Sequence, residues 1–242
     1  MEILNLEKGI FFQMGKGQNW RVVHPDMGAE QITLNHSKHD AGHEFPQHTH
    51  GNTEDVFVIL DGGVSVRQGE IYTPVNAGDA VFVPAGEVHG TVNTTDKQAR
   101  LISFQAPPDM ALYRGERNVT PNQRPKPQSG HISSVQISSI SKGGPIFGKP
   151  GNWRSVVSKD RGAKQLALNY IEMNSGMSFD RQAAKSEEIY VLATGKAEVH
   201  SDDGDYSLEK NDVIFLKPGD NISLSCHGSE QLFLIHCWAQ PK

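Results

Sequence analysis

The chain has only two cysteines in 242 residues, Cys226 and Cys237. Both lie in SLSCHGSEQLFLIHCW, which predicts two strands joined by a tight turn at HGSE. In such a hairpin Cys226 falls near Gln231, and Cys237 lies several residues further on. At about 3.3 Å per residue the two are beyond disulfide reach. Two free thiols are therefore expected, and with them a reducing compartment, the cytoplasm. There is no long apolar run of the kind that spans a bilayer, so no membrane partner is expected. There is no basic cluster either. The 23 Lys and Arg are outnumbered by 28 Asp and Glu, and the net charge is −5. Nucleic acid is thereby excluded as the main partner, since phosphate binding needs grouped cations. The opening MEILNLEKGIFF lacks a basic segment followed by an apolar one, so no signal peptide is expected.

What is present is a repeat. NWRVVHPDMGAEQITLN starts at Asn19, and NWRSVVSKDRGAKQLALN starts at Asn152. TEDVFVILDG from Thr53 matches SEEIYVLATG from Ser186, and GDAVFVPAG from Gly78 matches NDVIFLKPG from Asn211. Gly42 and Phe45 match Gly176 and Phe179. Self-similarity in this order indicates a duplicated unit. Each copy reads as short strands rich in Val, Ile and Phe, bounded by Gly, Pro, Asn or Asp. Such a pattern points to an all-β sandwich or barrel. Between the copies, PPDMALYRGERNVTPNQRPKPQSG reads as a surface linker with one short helix.

The chemistry concentrates in HTHGNTED, residues 48–55. Side chains alternate along a strand, so His48 and His50 share a face. Two imidazoles with a carboxylate nearby suit a mixed nitrogen and oxygen metal site. The wider spacing runs Gly42, His48-Thr49-His50, Asp55, Gly62, then Gly78, Pro84-Ala85-Gly86, His89, Asn93. This resembles the two motifs of the cupin superfamily, and the resemblance covers both halves of the chain. It implies two tandem double-stranded β-helix (jelly-roll) barrels. The expected boundaries are 1–107 for an N-terminal metal-binding barrel, 108–136 for a linker and 137–242 for a degenerate C-terminal barrel. It also implies that His48, His50 and His89 are metal ligands, with a carboxylate as the fourth.

Two adjacent acids compete for that fourth place. Asp55 stands seven residues before Gly62, as Glu188 does before Gly195. Asp55 is therefore the aligned ligand, and Glu54 is assigned an acid–base role beside it. Strand parity does not separate them, because Val56, Val58 and Leu60 on one face and Phe57 and Ile59 on the other are all apolar. In the second copy Gln182, Ala184 and Ile222 stand at the places of His48, His50 and His89, so that copy is expected to be metal-free. Trp20-Arg21 and Trp153-Arg154 occur in both copies and are read as packing and ion-pairing elements. Gly42, Gly62 and Gly86 with their partners Gly176, Gly195 and Gly219 are read as turn glycines. His36, His39 and His43 are read as a polar strand and loop, and His200, His227 and His236 as unrelated to the metal.

Three His and one carboxylate leave two positions of an octahedral ion open. The ion would be one divalent transition metal, Fe, Mn, Ni or Zn, since ligand types alone do not select among them. The expected function is a mononuclear metal-dependent enzyme acting on a small oxygen-rich substrate: an enediol, a keto acid or a sugar derivative. Family likeness leans to dioxygenase-type oxidation, against sugar or sugar-acid isomerisation or decarboxylation, and against a non-catalytic binding module. Edge strands left by such barrels would allow a homodimer.

Overall fold

The structure, a computed structural model, describes residues 1–14, 17–116 and 126–240. The described residues are all-β, with four sheets and one α-helix, Met110–Tyr113. The middle of the expected linker, residues 117–125, lies outside the described residues.

One seven-stranded sheet has the order Gln136–Ser139, Asp79–Val83, Glu54–Asp61, Ala99–Ala106, Thr33–His39, Gly17–Val23 and Ile10–Met14. The four strands Glu44–His48, His89–Val92, Gly63–Gln68 and Ile71–Asn76 form the sheet that packs on it, through Val64, Val66 and Val75 against Phe57, Ile59 and Leu101. The second half repeats this plan. Its seven strands are Glu2–Asn5, Asp212–Leu216, Glu188–Thr194, Leu232–Ala239, Leu166–Met173, Asn152–Val157 and Gly144–Ile146. Its four are Ser178–Arg181, Ile222–His227, Lys196–Ser201 and Gly204–Leu208. The fold is the cupin jelly roll.

The two halves exchange edges. Glu2–Asn5 pairs with Asp212–Leu216, and Gln136–Ser139 pairs with Asp79–Val83. The boundaries 1–107 and 137–242 therefore do not separate the sheets. An unpaired edge exposes a row of backbone donors and acceptors, and each half covers an edge of the other. The two large sheets also share one apolar core. Val56, Val58 and Phe104 from one join Ile189, Val191 and Phe215 from the other in a single buried cluster.

Gly62 and Gly195 close equivalent turns with φ of 68° and 80°. A Cβ at either would come within 2.8 Å of Gln98 O or 2.7 Å of Gln231 O. Both the left-handed backbone and the close approach require glycine. The expected hairpin around the cysteines is corrected: Ile222–His227 lies in the four-stranded sheet and Leu232–Ala239 in the seven-stranded one. The connection crosses between sheets, because both strands are buried on their own layers. Both thiols are free and buried. No helix among the described residues is long and apolar enough to cross a membrane.

Candidate metal centre

The end of Glu44–His48 and the start of His89–Val92 are antiparallel neighbours, which sets His48 directly opposite His89. The Pro84-Ala85-Gly86 turn is tied back by Gly86 N, which donates to His50 O at 2.7 Å. Three imidazoles are thereby gathered, with one nitrogen of each within 4.8 Å of the others. Asp55 joins them from Glu54–Asp61: its Oδ2 lies 3.5 Å from His50 Nε2 and 3.7 Å from His89 Nε2.

The outer nitrogens decide what the inner ones can do. His48 Nδ1 faces Pro46 O at 2.9 Å, His50 Nδ1 faces Asp109 Oδ2 at 2.8 Å, and His89 Nδ1 faces Glu87 O at 3.2 Å. A carbonyl or ionised carboxylate only accepts, so each neutral ring carries its proton on Nδ1. Every Nε2 then presents a lone pair inward. His48 Nε2 and His50 Nε2 are 3.1 Å apart. Lone pairs this close repel unless a cation lies among them. Metal–nitrogen bonds of about 2.1 Å at a right angle put two nitrogens about 3.0 Å apart. The residues present thus fit a divalent ion. Such an ion would polarise a bound carbonyl or enolate oxygen.

Electrostatics agree. Burial opposes the charged form of His48, and the neighbouring His89 and His50 lower its pKa further. Burial also opposes a charge on His50, but the adjacent carboxylates of Asp109 and Asp55 outweigh this and raise its pKa. Burial would raise the Asp55 pKa, yet the adjacent His50 and His89 rings hold it well below the usual carboxylate range. Ser103 Oγ donates to Asp55 Oδ1 at 2.9 Å. The cluster demands positive charge at its centre.

Glu54 is corrected. Its carboxylate accepts from Lys164 N at 2.9 Å and Gln165 N at 2.8 Å, in the other half of the chain. Glu187, its counterpart in the repeat, accepts from Glu30 N at 2.8 Å and Gln31 N at 2.7 Å. The adjacent acids divide because the strand is buried on both faces. Asp55, Phe57 and Ile59 face the barrel interior, whereas Glu54, Val56 and Val58 face the shared core. Glu54 joins the halves and has no acid–base geometry at the cluster.

Asp109 is the residue that sequence reasoning misses, since its place in the chain is the expected linker. Besides His50, it caps the helix Met110–Tyr113 by accepting from Leu112 N at 3.1 Å. An Asp ahead of a short helical run is the available signal. Such outer partners fix ring orientation and raise ligand basicity.

The centre opens on a cavity of about 270 Å³. His48, Asp55 and His89 line one part of it, and Arg21, Phe12 and Tyr113 another. Asn19, Asn35 and Ser37 supply polar groups between. His36, His39 and His43, read as a polar strand and loop, are buried. His36 stacks on Trp20 with centroids 5.1 Å apart, and His39 meets His43 edge-on at 4.5 Å. Desolvation lowers the pKa of His36 to about 4 and of His39 to about 3. Arg21 also departs from the expected ion-pairing role: no carboxylate lies within ion-pair distance of it among the described residues.

The second half fills the same place differently. Gly219 N donates to Ala184 O at 2.8 Å, which makes Ala184 the counterpart of His50. Ile222, opposite Arg181, takes the position of His89. The counterpart of His48 is therefore Arg181, not Gln182. One extra residue intervenes and is absorbed at Ala183, with φ of 45°. Arg181 forms an ion pair with Glu188, its Nε 2.9 Å from both oxygens. His236 also reaches Glu188 Oε2 at 3.2 Å.

Residues 36–104 match the family model of the cupin domain. Among solved structures, a single-substitution form of oxalate decarboxylase from Bacillus subtilis superposes with a TM-score of 0.74 at 12% identity, over 98% of this chain and 77% of that one. A structure from a study of the Mn(II) centres of the same enzyme gives 0.76 at 13%, over 100% and 78%. Protein Ylba from E. coli gives 0.76 at 11%, over 98% and 90%. At these identities the likeness is one of fold. No curated protein matches the chain by sequence.

Proposed function

We propose that this chain is a pair of tandem cupin barrels in which the N-terminal one holds a single divalent metal ion and acts on a small oxygen-rich molecule. The observation that carries the reading is the convergence of three Nε2 lone pairs with the Asp55 carboxylate, each Nδ1 being committed to an oxygen acceptor. His48, His50, His89 and Asp55 would hold the ion, and Asp109 would orient His50. The chemistry supplied by the bound ion is polarisation of a substrate oxygen and, for a redox metal, oxidation with dioxygen. The protein's own part is to orient the four ligands around the ion and to hold the substrate in the adjoining cavity, whose polar groups include Asn19, Asn35 and Ser37.

Decarboxylation has support of its own. One structural neighbour is an oxalate decarboxylase, and the cavity, about 270 Å³, is small. Decarboxylation of a small acid is therefore the second reading beside oxidation. Two buried free thiols fit a cytoplasmic setting.

The test is elemental analysis of protein supplied with Mn, Fe, Ni and Zn, followed by oxygen consumption and CO₂ release with keto acids, enediols and sugars. One ion per chain is expected, and none in a variant combining His48→Ala with His50→Ala. Two tightly held ions, or an ion kept by that variant, would overturn the metal assignment. Metal binding without turnover on any of these substrates would favour a binding module.

A further inference from the structure

The cavity beside the histidines contains an unexplained cation. Among the described residues, Arg21 is the only Lys or Arg that lines it. Its guanidinium lies 4.2 Å from the centroid of the Tyr113 ring and 4.9 Å from that of Phe12. Its Nη2 donates to Tyr113 O at 3.0 Å. The two carboxylates that line the cavity, Asp55 and Asp109, are both engaged with histidines. The guanidinium is therefore held in place by ring faces and one carbonyl, with no anion paired to it among the described residues.

That arrangement has a chemical meaning. A half-buried guanidinium loses hydration and regains it through an anion with matching geometry. Its planar fork matches a carboxylate with two parallel hydrogen bonds. The two aromatic faces restrain the guanidinium and reduce the entropy lost when the anion arrives. Asn19, Asn35 and Ser37, which also line the cavity, carry no charge. A single guanidinium balances one negative charge, which suits a carboxylate better than a dianionic phosphate.

We propose that Arg21 anchors a carboxylate of the substrate, so that the cavity takes a small acid whose opposite, oxygen-bearing end faces His48, Asp55 and His89. The inference rests on the metal reading above only for the identity of that opposite end. Arg154 stands at the matching place of the repeat, but its Nη1 is turned to Gly143 O at 3.4 Å. The anchor belongs to one copy alone.

The test uses calorimetry on Mn-supplied and metal-free full-length protein. The probes are oxaloacetate, 2-oxoglutarate and 2-oxoadipate, each against the analogue whose distal carboxylate is an amide. At least one diacid should bind on the order of tenfold to a hundredfold tighter than its amide. Arg21→Gln should abolish that preference while keeping the Mn content of the wild type, and Arg21→Lys should keep part of it. Equal binding of acid and amide, a preference that survives Arg21→Gln, or no binding of any diacid would overturn the proposal. So would Arg21-dependent binding of inorganic phosphate as tight as that of the diacid, or loss of Mn from Arg21→Gln, which would make the residue structural. If the wild type holds no Mn yet still shows the Arg21-dependent preference, the metal reading fails and the anchor stands.

Discussion

The two halves of this chain share a sheet order, a set of turns and a buried acid at one position, yet one half has a cavity there and the other is packed shut. In the N-terminal half Asp55 meets imidazoles beside open space. In the C-terminal half Glu188 meets a guanidinium, and Ile222, Phe179 and Tyr190 fill the interior. Among the described residues, the interior cluster there has 17 buried apolar residues against 9 in the N-terminal half, where polar side chains and the cavity take their place. The comparison shows that the scaffold requires compensation for a buried carboxylate, and that a side chain can supply it as well as an ion can. In the second half the charge is covalently attached, so the site is closed to exchange.

The largest break of the comparison would come from removing that internal cation. Arg181→Met leaves the buried Glu188 with only His236 and Tyr190 beside it and no permanent cation, which should cost about 3 kcal/mol in denaturant unfolding. Adding Glu188→Gln should restore most of the loss. If Arg181→Met is neutral, the guanidinium is not what stabilises Glu188.

Acid tests the same pair without mutation. Burial would raise the Glu188 pKa, but His236 and Arg181 lower it from 4.5 to about 2. A lowered acid contributes stability that is full above its unfolded value and disappears as pH falls through its folded one. Roughly 3 kcal/mol should therefore be lost between about pH 4.5 and 2. Glu188→Gln should flatten that part of the pH profile; an unchanged slope would refute the assignment.

Asp109 sharpens the contrast from the other side, since it supports a ligand that the second copy lacks. Asp109→Asn can still cap the helix but loses the charge on His50, and metal affinity should fall roughly 10–100-fold. Metal titration checks this, and an unchanged affinity would leave Asp109 only a capping role. The smallest effect is expected at the junction. Glu54→Gln or Glu187→Gln weakens the acceptor for backbone amides and should cost about 1–3 kcal/mol each, with metal retained. Loss of metal from Glu54→Gln would reverse the roles assigned to the two acids.

Much of this was legible in the residues. The repeat, the strand-rich character, the turn glycines and the shared face of His48 and His50 follow from local spacing, because turns and strand alternation are local properties; His89 was joined to them only by the resemblance to a known family. The choice between Glu54 and Asp55 was not legible, since Val56 and Phe57 are equally apolar and only packing shows which face meets the second half. Nor was Arg181 as the counterpart of His48, which depends on an extra residue absorbed at a left-handed Ala183.

The sequence by itself determined that the chain is a β repeat with one copy rich in histidine at metal spacing. Only the tertiary structure decided which edge strand each half lends the other, that Glu54 reaches Lys164 and Gln165, and that Asp109 turns back onto His50. Each of these contacts joins residues distant from one another along the chain. Strand periodicity states which residues share a face, but not what that face will meet, because the partner is chosen by how sheets pack and not by the order of the chain.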